Sequence, residues 1–520
     1  MKHYSLDFET TSKIDLRQVG APRYANDVST RVLCWSIADL SKPDEISSVT
    51  PRYTRPDTHH DFTAQPLRAP EWVELAAQGK AVIHAYNASF EWFVLNFTCS
   101  RLFRWPQVPA SAMRCTLAQA RYWGYSGKLD ETSRALGAPP KDMAGHKLMM
   151  KMNKPRNRPK NTWWDEDQPE LLDELVAYCE DDVRAEMGVA SKLPALTASE
   201  QRIFELDLRM NMRGVRIDRA LVPKLVEATT TAVEQLNADV AALTAGRVST
   251  TNQVAKLKEE VNKDLQASGQ MPVDSLDKNA LTELFARPYL PPKAKALATA
   301  RRTAAKSSTA KLQRMLDAAD SQDGRIRGLL QYYGAARTGR WAGRIVQPQN
   351  LPRGAMKNPI GAADMVVTNM CGVEDVADDQ GIDVMTMASS MIRTCIVPDD
   401  YEKGGVLLAP DYGQIEARVI AWLAGQQDVL DVFARGEDVY VYTAGQIGSD
   451  DRQLGKVAAL GLGFGMGPGT FVESAAGYGV ELDADRAEEV TSGWRTANSE
   501  IVAFWYDLEN AAKAIANNQK

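Results

Sequence analysis

Short apolar runs alternate with longer helical patterns over the first 198 residues of the chain. The runs Lys2–Phe8 and Ala81–Ala85 predict strands, and the pattern over Glu170–Ala190 predicts a long helix. Strands that alternate with helices are typical of an α/β domain. We therefore expect a sheet flanked by helices in this part of the chain.

The middle of the chain, residues 199–335, is rich in Ala, Leu, Lys, Gln and Glu. Its pattern predicts helices at Ala198–Asn211, Ala220–Thr244 and Ala294–Asp320. Gly214 is expected to end the first of these helices, because glycine commonly terminates a helix.

The last stretch, residues 336–520, begins with the glycine-rich sequence TGRWAG. The apolar run Gly405–Ala409 predicts a buried strand, and helical patterns then continue to the final residue. Three stretches agree with the roughly three domains expected for a chain of 520 residues.

The composition, with 44% hydrophobic and 25% charged residues, is that of an ordinary globular protein. It excludes collagen-like, disulfide-rich and disordered chains. No apolar run reaches the ~18 residues of a membrane helix, so no membrane partner is expected. The first residues, MKHYSLDFETTSK, are too polar for a secretion signal. The cysteines lack CxxC spacing and are expected to be free thiols in a reducing cytoplasm: Cys34, Cys99, Cys115, Cys179, Cys371 and Cys395.

The net charge of −6 conceals a basic segment. Residues 291–353 contain 13 Lys and Arg against three Asp, a balance of +10, so the rest of the chain carries −16. Such a local excess is either a phosphate-binding surface or a solvated basic face. The segment Lys151–Lys160, with five basic residues and two prolines, predicts a loop that is either a solvated connector or a contact for a nucleic-acid strand.

Carboxylates recur near the predicted strands of the first domain. Asp7 and Glu9 are two positions apart in the strand sequence LDFET, so they share one face of a strand. Glu91 follows the second predicted strand, and Asp182 lies one helical turn after Tyr178, whose hydroxyl can orient a metal-bound water. Taken singly, the two acids of the strand are equally compatible with exposed positions, and the tyrosine with a core aromatic. Together the residues fit phosphodiester hydrolysis by two Mg²⁺ ions about 4 Å apart.

In order and spacing, these residues resemble the active site of the DEDD-type 3′–5′ exonucleases, whose fold is ribonuclease H-like. The resemblance implies single-stranded DNA 3′ ends as substrate and two Mg²⁺ ions as cofactors, with Mn²⁺ as an alternative ion. The family usually has Asp where this chain has Glu91, and the extra methylene lengthens the reach of the carboxylate by roughly one bond. The implied roles are a catalytic Tyr178 and the metal ligands Asp7, Glu9, Glu91 and Asp182.

The segment VLLAPDYGQIEARVIAWLAG, Val406–Gly425, predicts an apolar strand that ends at Asp411, a tight turn and a helix. A carboxylate at such a turn is well placed to hold a metal-bound triphosphate, although a buried corner with an incidental Asp is the alternative. The segment resembles motif A of the family A DNA polymerases, with Gly413 and Ala417 in place of the usual Ser and Leu. The implied roles are metal binding and catalysis by Asp411, nucleotide contacts by Tyr412 and Gln414, exclusion of ribonucleotides by Glu416, and ordering of the site and DNA contact by Arg418.

Four residues spaced by four share one face of a later predicted helix: Arg452, Lys456, Leu460 and Phe464. Two cations followed by an apolar platform suit a nucleotide, while a solvated helix face is the alternative for the cations. The segment resembles motif B of the same family, which commonly has Phe and Tyr at the two apolar positions. The resemblance implies that Arg452 and Lys456 bind the phosphates and that Lys456 is catalytic, neutralising or protonating the pyrophosphate leaving group. Leu460 and Phe464 would pack on the base of the bound dNTP.

The sequences TGR and QNLP, which begin at Thr338 and Gln349, resemble the family's segment at the palm–thumb junction. That segment holds the minor groove of the primer–template DNA. The implied DNA contacts are Arg340, Gln349 and Asn350, together with the thumb residues Lys306, Ser307 and Lys311. Mutation of Lys306 is expected to weaken DNA binding uniformly across sequences.

The resemblance spans nearly the whole chain in the order exonuclease, thumb, palm and fingers. It implies an α/β plus α architecture with a right-hand polymerase. The expected domains are a ribonuclease H-like exonuclease (1–198), a helical thumb (199–335), the N-terminal part of the palm (336–424) and incomplete fingers (425–520). The opening sequence and GLLQYYGAARTGRWAGRIVQPQNLPR look most like polymerases of phages. We therefore expect phage DNA replication in the cytoplasm of a bacterial host.

One motif of the family is absent from the sequence. Family A polymerases need a second catalytic aspartate in a His-Asp-Glu turn, motif C, and the 55 residues after Gly465 contain no such sequence. The alternatives are half of a split polymerase whose partner polypeptide supplies motif C, a truncated chain, or a chain that has lost synthesis and kept its exonuclease. Independently of these explanations, three functions stay open: a proofreading DNA polymerase, a 3′–5′ exonuclease with a DNA-binding remainder, and a non-catalytic primer–template-binding subunit.

Overall fold

The structure, a computed structural model, describes residues 1–54, 63–156, 162–305, 310–335, 338–354 and 356–518. The chain divides into two compact units, Met1–Leu407 and Leu408–Lys520. The strands of the described residues all belong to the first unit, and the second unit is helical.

The longest strands, β1 and β2, have 10 and 9 residues. The strands are β1 (Lys2–Thr11), β2 (Arg31–Asp39), β3 (Ile46–Val49), β4 (Tyr53–Thr54), β5 (Thr63–Ala64), β6 (Ala81–Ala85), β7 (Met113–Cys115), β8 (Val215–Arg216), β9 (Arg325–Ile326), β10 (Leu330–Ala335) and β11 (Arg340–Gly343).

Helices of very different length surround these strands. Those of the first unit are α1 (Leu16–Val19), α2 (Ala21–Asn26), α3 (Glu71–Ala77), α4 (Ala88–Phe93), α5 (Ser100–Phe103), α6 (Thr116–Tyr122), α7 (Leu129–Leu136), α8 (Met143–Met152), α9 (Trp164–Asp167), α10 (Glu170–Ala190), α11 (Ala198–Arg213), α12 (Leu221–Leu243), α13 (Val254–Ala267), α14 (Lys278–Phe285), α15 (Pro292–Ala304), α16 (Ala310–Ala318), α17 (Pro359–Val367), α18 (Val373–Asp379) and α19 (Val384–Met391).

Strand β1 lies at the centre of a sheet with the order β3-β2-β1-β6-β7. It pairs antiparallel with β2 and parallel with β6, so the carboxyl ends of β1 and β6 point to the same edge. Helix α10 packs against β1 and β2. The predicted α/β architecture of this part of the chain is confirmed, as are its two predicted strands and its long helix. The apolar core of the sheet includes Leu6, Phe8, Trp35, Ile83 and Met113.

A second core joins the helices that follow the sheet, chiefly α12, α16 and α19. Helix α11 ends at Arg213, where Gly214 has a positive φ of 66° that favours glycine, so the predicted break is confirmed. The prediction of one helix over Ala294–Asp320 was wrong, because α15 ends at Ala304 and α16 begins at Ala310.

A third core packs α12, α13, α14 and α15 together. Glu260 of α13 is only 3% exposed there and accepts two hydrogen bonds from Arg247, at 2.9 and 2.7 Å. Lys263 adds a third bond at 2.8 Å. These cations hold the pKa of Glu260 well below its usual range, with the Arg247 hydrogen bonds as the largest cause. The carboxylate is therefore an anchor for this helical region.

The second unit is built from helices whose first turns are often capped by Asp side chains. Gly455 lies where α22 and α23 pack, and a Cβ at this position would stand 2.0 Å from the backbone oxygen of Tyr440. Phe471 and Trp494 lie in the apolar core of the second unit. The helices are α20 (Ile415–Ala424), α21 (Gln427–Ala434), α22 (Val439–Gln446), α23 (Arg452–Gly461), α24 (Pro468–Gly477), α25 (Ala484–Ala497) and α26 (Ser499–Asn518).

The buried strand predicted at Gly405–Ala409 is not formed. The segment has no strand assignment, and Val406 and Leu408 are 74% and 88% exposed. A strand forms only where a neighbouring strand takes up its backbone hydrogen bonds, and no strand of the described residues pairs with this run. Its apolar sequence therefore predicted burial that the structure does not provide.

Other features of the sequence have mixed outcomes. All six cysteines are free, and all but Cys371 are buried. The predicted loop at Lys151–Lys160 starts inside α8, which ends at Met152, and residues 157–160 lie outside the described residues. Within the described residues, no helix combines the length and apolarity that crossing a membrane requires.

Candidate active site

Three carboxylates meet beside the central strand. Asp7 and Glu9 lie on β1, and Asp182 lies on α10, which packs against β1. One oxygen of each carboxylate lies within 4.8 Å of an oxygen of the other two. Alternation along the strand places Asp7 and Glu9 on the same face, opposite the core side chains Leu6 and Phe8. The structure thus brings together three of the four predicted metal ligands of the first domain.

The fourth predicted ligand, Glu91, lies on α4, which begins soon after β6 ends. Its side chain is 4% exposed and lines a cavity of about 470 Å³ together with Asp7 and Asp182. Glu91 is not one of the three clustered carboxylates, but its Oε2 is buried and has no hydrogen-bond partner among the described residues. A buried carboxylate oxygen without a partner is costly, so this atom marks a place for a positive ligand.

Burial and mutual repulsion raise the pKa values of Asp7, Glu9 and Glu91. Burial, reinforced by the charge of Asp182, raises the pKa of Asp7 to about 7. Burial, followed by the charge of Asp7, holds the pKa values of Glu9 and Glu91 well above their usual range. Such groups are unstable as bare anions in a dry site and become stable as anions when a cation joins them.

Tyr178 lies one turn before Asp182 on α10 and is 2% exposed. Its hydroxyl is buried and has no hydrogen-bond partner among the described residues. Burial, with the charge of Asp182 next, raises the pKa of Tyr178 far above its usual range, so the hydroxyl stays protonated at neutral pH. The side chain lines a cavity of about 530 Å³ that also contacts Asp7 and Glu9.

These side chains fit divalent metal ions. Carboxylate oxygens are the ligands that Mg²⁺ and Mn²⁺ prefer, and four carboxylates converge on the two cavities. Asp182 Oδ1, like Glu91 Oε2, is buried without a hydrogen-bond partner among the described residues. The Nζ of Lys141 forms a salt bridge with Asp182 Oδ2 and provides one positive charge against this cluster.

Two further charged residues of the site were not found by sequence reasoning. Lys141 lies in the loop before α8, and its Nζ is 4.9 Å from the centre of the Tyr178 ring. No spacing in the sequence points to it. Glu186 is 3% exposed and accepts hydrogen bonds from the hydroxyls of Ser5 and Thr116. It lies four residues after Asp182 on α10, and that spacing could have identified it.

The second unit carries the residues of the other predicted site. Asp411 and Tyr412 precede α20 and are exposed, Tyr412 by 81%. Gln414 stands immediately before the helix with a positive φ of 49°, and Glu416 lies in its first turn. Within the described residues, Asp411 belongs to no cluster of three metal-ligating side chains. The predicted metal role of Asp411 therefore has no preformed set of partners here.

Arg418 fixes the turn that follows Asp411. Its Nε donates a hydrogen bond to the backbone oxygen of Gly413 at 2.9 Å, and its guanidinium carbon lies 4.1 Å from the centre of the Phe433 ring. These two contacts hold the side chain against its own unit, and the predicted role of Arg418 in ordering the site stays a prediction. They leave its predicted contact with DNA as a prediction.

The cations of the predicted motif B helix have aromatic and acidic neighbours. Arg452 donates to Asp438 at 2.7 Å and lies over the Tyr440 ring at 5.2 Å. Lys456 lies 5.8 Å from the centre of the Tyr478 ring. Both cations are thus held loosely at the surface of α23 rather than buried in ion pairs.

The predicted helix face is only partly formed. Lys456 and Leu460 lie on α23, but this helix ends at Gly461, and Phe464 lies in a following 3₁₀ turn with 66% of its surface exposed. The prediction that Phe464 shares the helix face was therefore wrong. The sequence Gly-Leu-Gly-Phe-Gly explains the difference, because glycine lowers the stability of a helix interior.

The predicted DNA contacts of the first unit lie at its surface. Arg340 begins β11 and is exposed, and Gln349 and Asn350 belong to a short 3₁₀ turn. Lys311 donates from Nζ to the backbone oxygen of Asn350 at 3.2 Å, so α16 and the QNLP segment adjoin. Two further predicted contacts lie outside the described residues: Lys306 and Ser307.

Comparisons with known proteins match the chain along its length. The family model for DNA polymerase family A matches residues 220–517. A DNA polymerase of Bacillus phage SP02 is 32% identical over all of this chain and 78% of its own length, and DNA polymerase I of Aquifex aeolicus is 33% identical over 20% of each chain. The polymerase domain of Pol1 from M. smegmatis, in complex with DNA primer-template and dNTP, has the same fold, with a TM-score of 0.57 at 15% identity over 98% of this chain and 76% of that one.

Proposed function

Because the chain belongs to DNA polymerase family A, we propose that it is the catalytic chain of a phage-type DNA polymerase with a 3′–5′ exonuclease. The similarity to a phage polymerase over the whole chain supports a role in phage DNA replication. The proposed ligands of the polymerase are primer–template DNA and dNTPs, the molecules bound in the M. smegmatis complex. The proposed substrate of the exonuclease is a single-stranded DNA 3′ end.

The buried acid cluster is the observation that carries the exonuclease. Asp7, Glu9 and Asp182 have oxygens within 4.8 Å of one another, and Glu91 shares their cavity. Packing four carboxylates together, three of them buried and Asp7 partly buried, is strongly unfavourable unless cations join them, so a purely structural role does not explain the cluster. Two divalent ions held there would activate a water and stabilise the leaving oxygen of a phosphodiester.

The neighbouring side chains have the properties that this hydrolysis requires. The protonated hydroxyl of Tyr178 faces the cluster and can donate to and orient the attacking water. The Lys141 ammonium, held by Asp182, offers positive charge to the phosphate that approaches the acids. Glu186 is fixed by two hydroxyl donors and positions α10 against β1 and α6. The role of Glu186 is therefore support rather than contact with substrate.

The exonuclease is tested by replacing one carboxylate and a matched neighbour. Asp182→Asn is expected to abolish degradation of a 3′-single-stranded oligonucleotide in Mg²⁺, since removal of a ligand from a two-metal site costs several kcal/mol of transition-state stabilisation. Asp181→Asn is the control, because Asp181 is an exposed neighbour on the same helix that pairs with Arg184. Undiminished degradation by the Asp182 variant would refute the proposal.

For synthesis, we propose that Asp411 holds the metal-bound triphosphate and that Arg452 and Lys456 bind its phosphates. Their support is the match to the family over residues 220–517 and the placement of both cations on α23, which packs near α20. The pair between Arg452 and Asp438 is exposed, so it breaks at little cost when a phosphate arrives.

A second polypeptide is the alternative suggested by the segment before Asp411. The apolar run around Val406 and Leu408 is largely exposed, and no strand of the described residues pairs with it. An exposed apolar run with free backbone groups is a template for another strand. We propose that a polypeptide carrying the His-Asp-Glu turn adds strands to this run and completes the synthetic site.

Primer extension with and without such a polypeptide distinguishes synthesis by this chain alone from synthesis that needs the second polypeptide. Extension is expected only when this chain and a His-Asp-Glu segment of a phage polymerase are mixed. Asp411→Asn should abolish the restored synthesis, whereas Asp450→Asn, at an exposed position just before α23, should not. Synthesis by this chain alone would show that the added polypeptide is unnecessary.

A further inference from the structure

A cavity of about 280 Å³ lies in the first unit beside the acid cluster. Helices α4, α6 and α11 and strand β10 line it. Asn87 borders this cavity and also both of the acid-lined cavities, and Phe90 borders it and one of them. The cavity is therefore a neighbour of the proposed exonuclease site, and none of the four predicted metal ligands lines it.

Three arginines face this cavity: Arg17 from α1, Arg121 from α6 and Arg344 after β11. None of the three guanidinium groups forms a hydrogen bond or salt bridge with another described residue, and the Nη1 atom of Arg121 is buried. Burial, together with the charge of Arg344, lowers the pKa of Arg121. Arg121 is partly buried and Arg344 is exposed, so a phosphate placed near both would relieve their repulsion while solvent screens part of it.

The acid that lines the cavity does not relieve this repulsion. Asp207 is the one carboxylate of its lining among the described residues, and it is 2% exposed. Its oxygens accept hydrogen bonds from Trp341 Nε1 at 2.7 Å and from Asn211 Nδ2 at 3.1 Å. Burial also raises its pKa to about 6, which reduces its negative charge near neutral pH. The net charge facing the cavity is therefore positive.

The rest of the lining is suited to a flat ring with a polar edge. Phe90, Phe93 and Tyr332 provide aromatic surface, and the Oε1 of Gln331 is buried with no hydrogen-bond partner among the described residues. That oxygen accepts a hydrogen bond from an amino or hydroxyl group. The volume is close to the lower end of the about 300–1,000 Å³ of small-molecule sites, which matches one nucleotide.

We propose that this cavity binds a phosphorylated nucleotide, with its phosphate between Arg121 and Arg344 and its base against the aromatic wall near Gln331. Guanidinium groups bind phosphate through paired, charge-assisted hydrogen bonds. Two sources supply the same chemistry, a free mononucleotide and a nucleotide within a single-stranded DNA segment. The inference adds a site to the proposed exonuclease and does not use its metal ligands.

Binding measured without metal tests the proposal independently of the exonuclease. The wild-type chain in EDTA is titrated with deoxyadenosine monophosphate and, separately, with a fluorescent single-stranded oligonucleotide. Arg344→Gln and Arg121→Gln are expected to weaken binding of at least one ligand about tenfold or more, since each removes a charge-assisted contact. Arg209→Gln, at an exposed position of α11 outside the cavity, is the matched control and should bind normally.

Gly127→Ala provides a second probe that removes no charge. A Cβ at Gly127 would stand 2.6 Å from Nη2 of Arg121 and would push the guanidinium from its place. Gly127→Ala should weaken binding of the same ligand as Arg121→Gln. Arg344 is exposed, so its replacement should not disturb the core. Thermal unfolding of each variant identifies any variant that fails to fold.

The two ligands distinguish the source of the phosphate. Weaker binding of the mononucleotide in the Arg121 and Arg344 variants identifies a free-nucleotide site, and weaker binding of the oligonucleotide alone identifies a contact with the DNA strand. Unchanged affinity of folded Arg344→Gln for both ligands would overturn the proposal. That result would leave the exonuclease untouched, because the exonuclease is judged by degradation in Mg²⁺ and by the Asp182 variant.

Discussion

Replacement of Asp7 by Asn is expected to stabilise the metal-free chain at alkaline pH. The folded protein raises the pKa of Asp7 from 3.8 to about 7, so folding holds a proton that the unfolded chain releases. The stability that this proton provides is complete below about pH 4 and is lost as the pH rises towards 7. A rise of this size corresponds to about 4 kcal/mol, at about 1.4 kcal/mol for each pKa unit.

The assay is urea unfolding of the chain in EDTA at pH 4, 5.5 and 8, with tryptophan fluorescence as the signal that reports unfolding of the first unit. Asn resembles the protonated carboxyl and can still accept the hydrogen bond from Cys179, so the variant lacks the cost of the bare anion. The free energy of unfolding of Asp7→Asn should exceed that of the wild type by several kcal/mol at pH 8. At pH 4 the two proteins should be nearly equal.

Addition of Mg²⁺ should reverse the order, because an ion that binds only the folded state stabilises it and the wild type has the better site. Asp181→Asn, which changes an exposed carboxylate on α10, should follow the wild type at every pH. The reasoning fails if Asp7→Asn is no more stable than the wild type at pH 8 in EDTA. It also fails if the difference between them does not shrink as the pH falls.

Three further changes test other parts of the chain. In urea unfolding, Glu260→Gln should lower the free energy of unfolding by about 1–3 kcal/mol at pH 7, since it leaves basic neighbours unpaired. The folded protein lowers the pKa of Glu260, so this difference between variant and wild type should diminish when the pH falls well below 4. Gly455→Ala should lower the melting temperature of the second unit, because its Cβ would meet the Tyr440 backbone oxygen at 2.0 Å; an unchanged melting temperature would exclude this close packing. Lys311→Ala should weaken primer–template binding equally for all sequences and reduce its salt dependence, in a filter-binding assay, and a sequence-selective loss would contradict a backbone contact.

The sequence predicted best where local pattern alone determines structure. The strand Ala81–Ala85 and the helix Glu170–Ala190 have the predicted bounds, and both belong to one α/β layer: the strand is part of the central sheet, and the helix packs against β1 and β2. The run Gly405–Ala409 has an equally apolar pattern and forms no strand. Its outcome depends on a neighbouring strand, and such a partner is not specified within the run itself.

The candidate site shows the same division. Asp7 and Glu9 are two residues apart in a strand, and Tyr178 and Asp182 are four apart in a helix, so each spacing predicted a shared face. The structure brings these residues together. Lys141 reaches Asp182 from a loop about forty residues away, a contact that only the folding of the chain creates. Long-range contacts of this kind carry no periodic signal in one sequence.

The two faces of strand β1 differ in chemistry: Leu6 and Phe8 lie in the apolar core, and Asp7 and Glu9 lie close to Asp182. A slip of one residue against β2 or β6 would exchange these faces and drive two carboxylates into hydrocarbon. Misfolded forms that differ only by such a slip are therefore strongly disfavoured. The acids of the candidate site therefore also restrict how the chain folds, because their position on β1 disfavours every odd-numbered shift of the central strand.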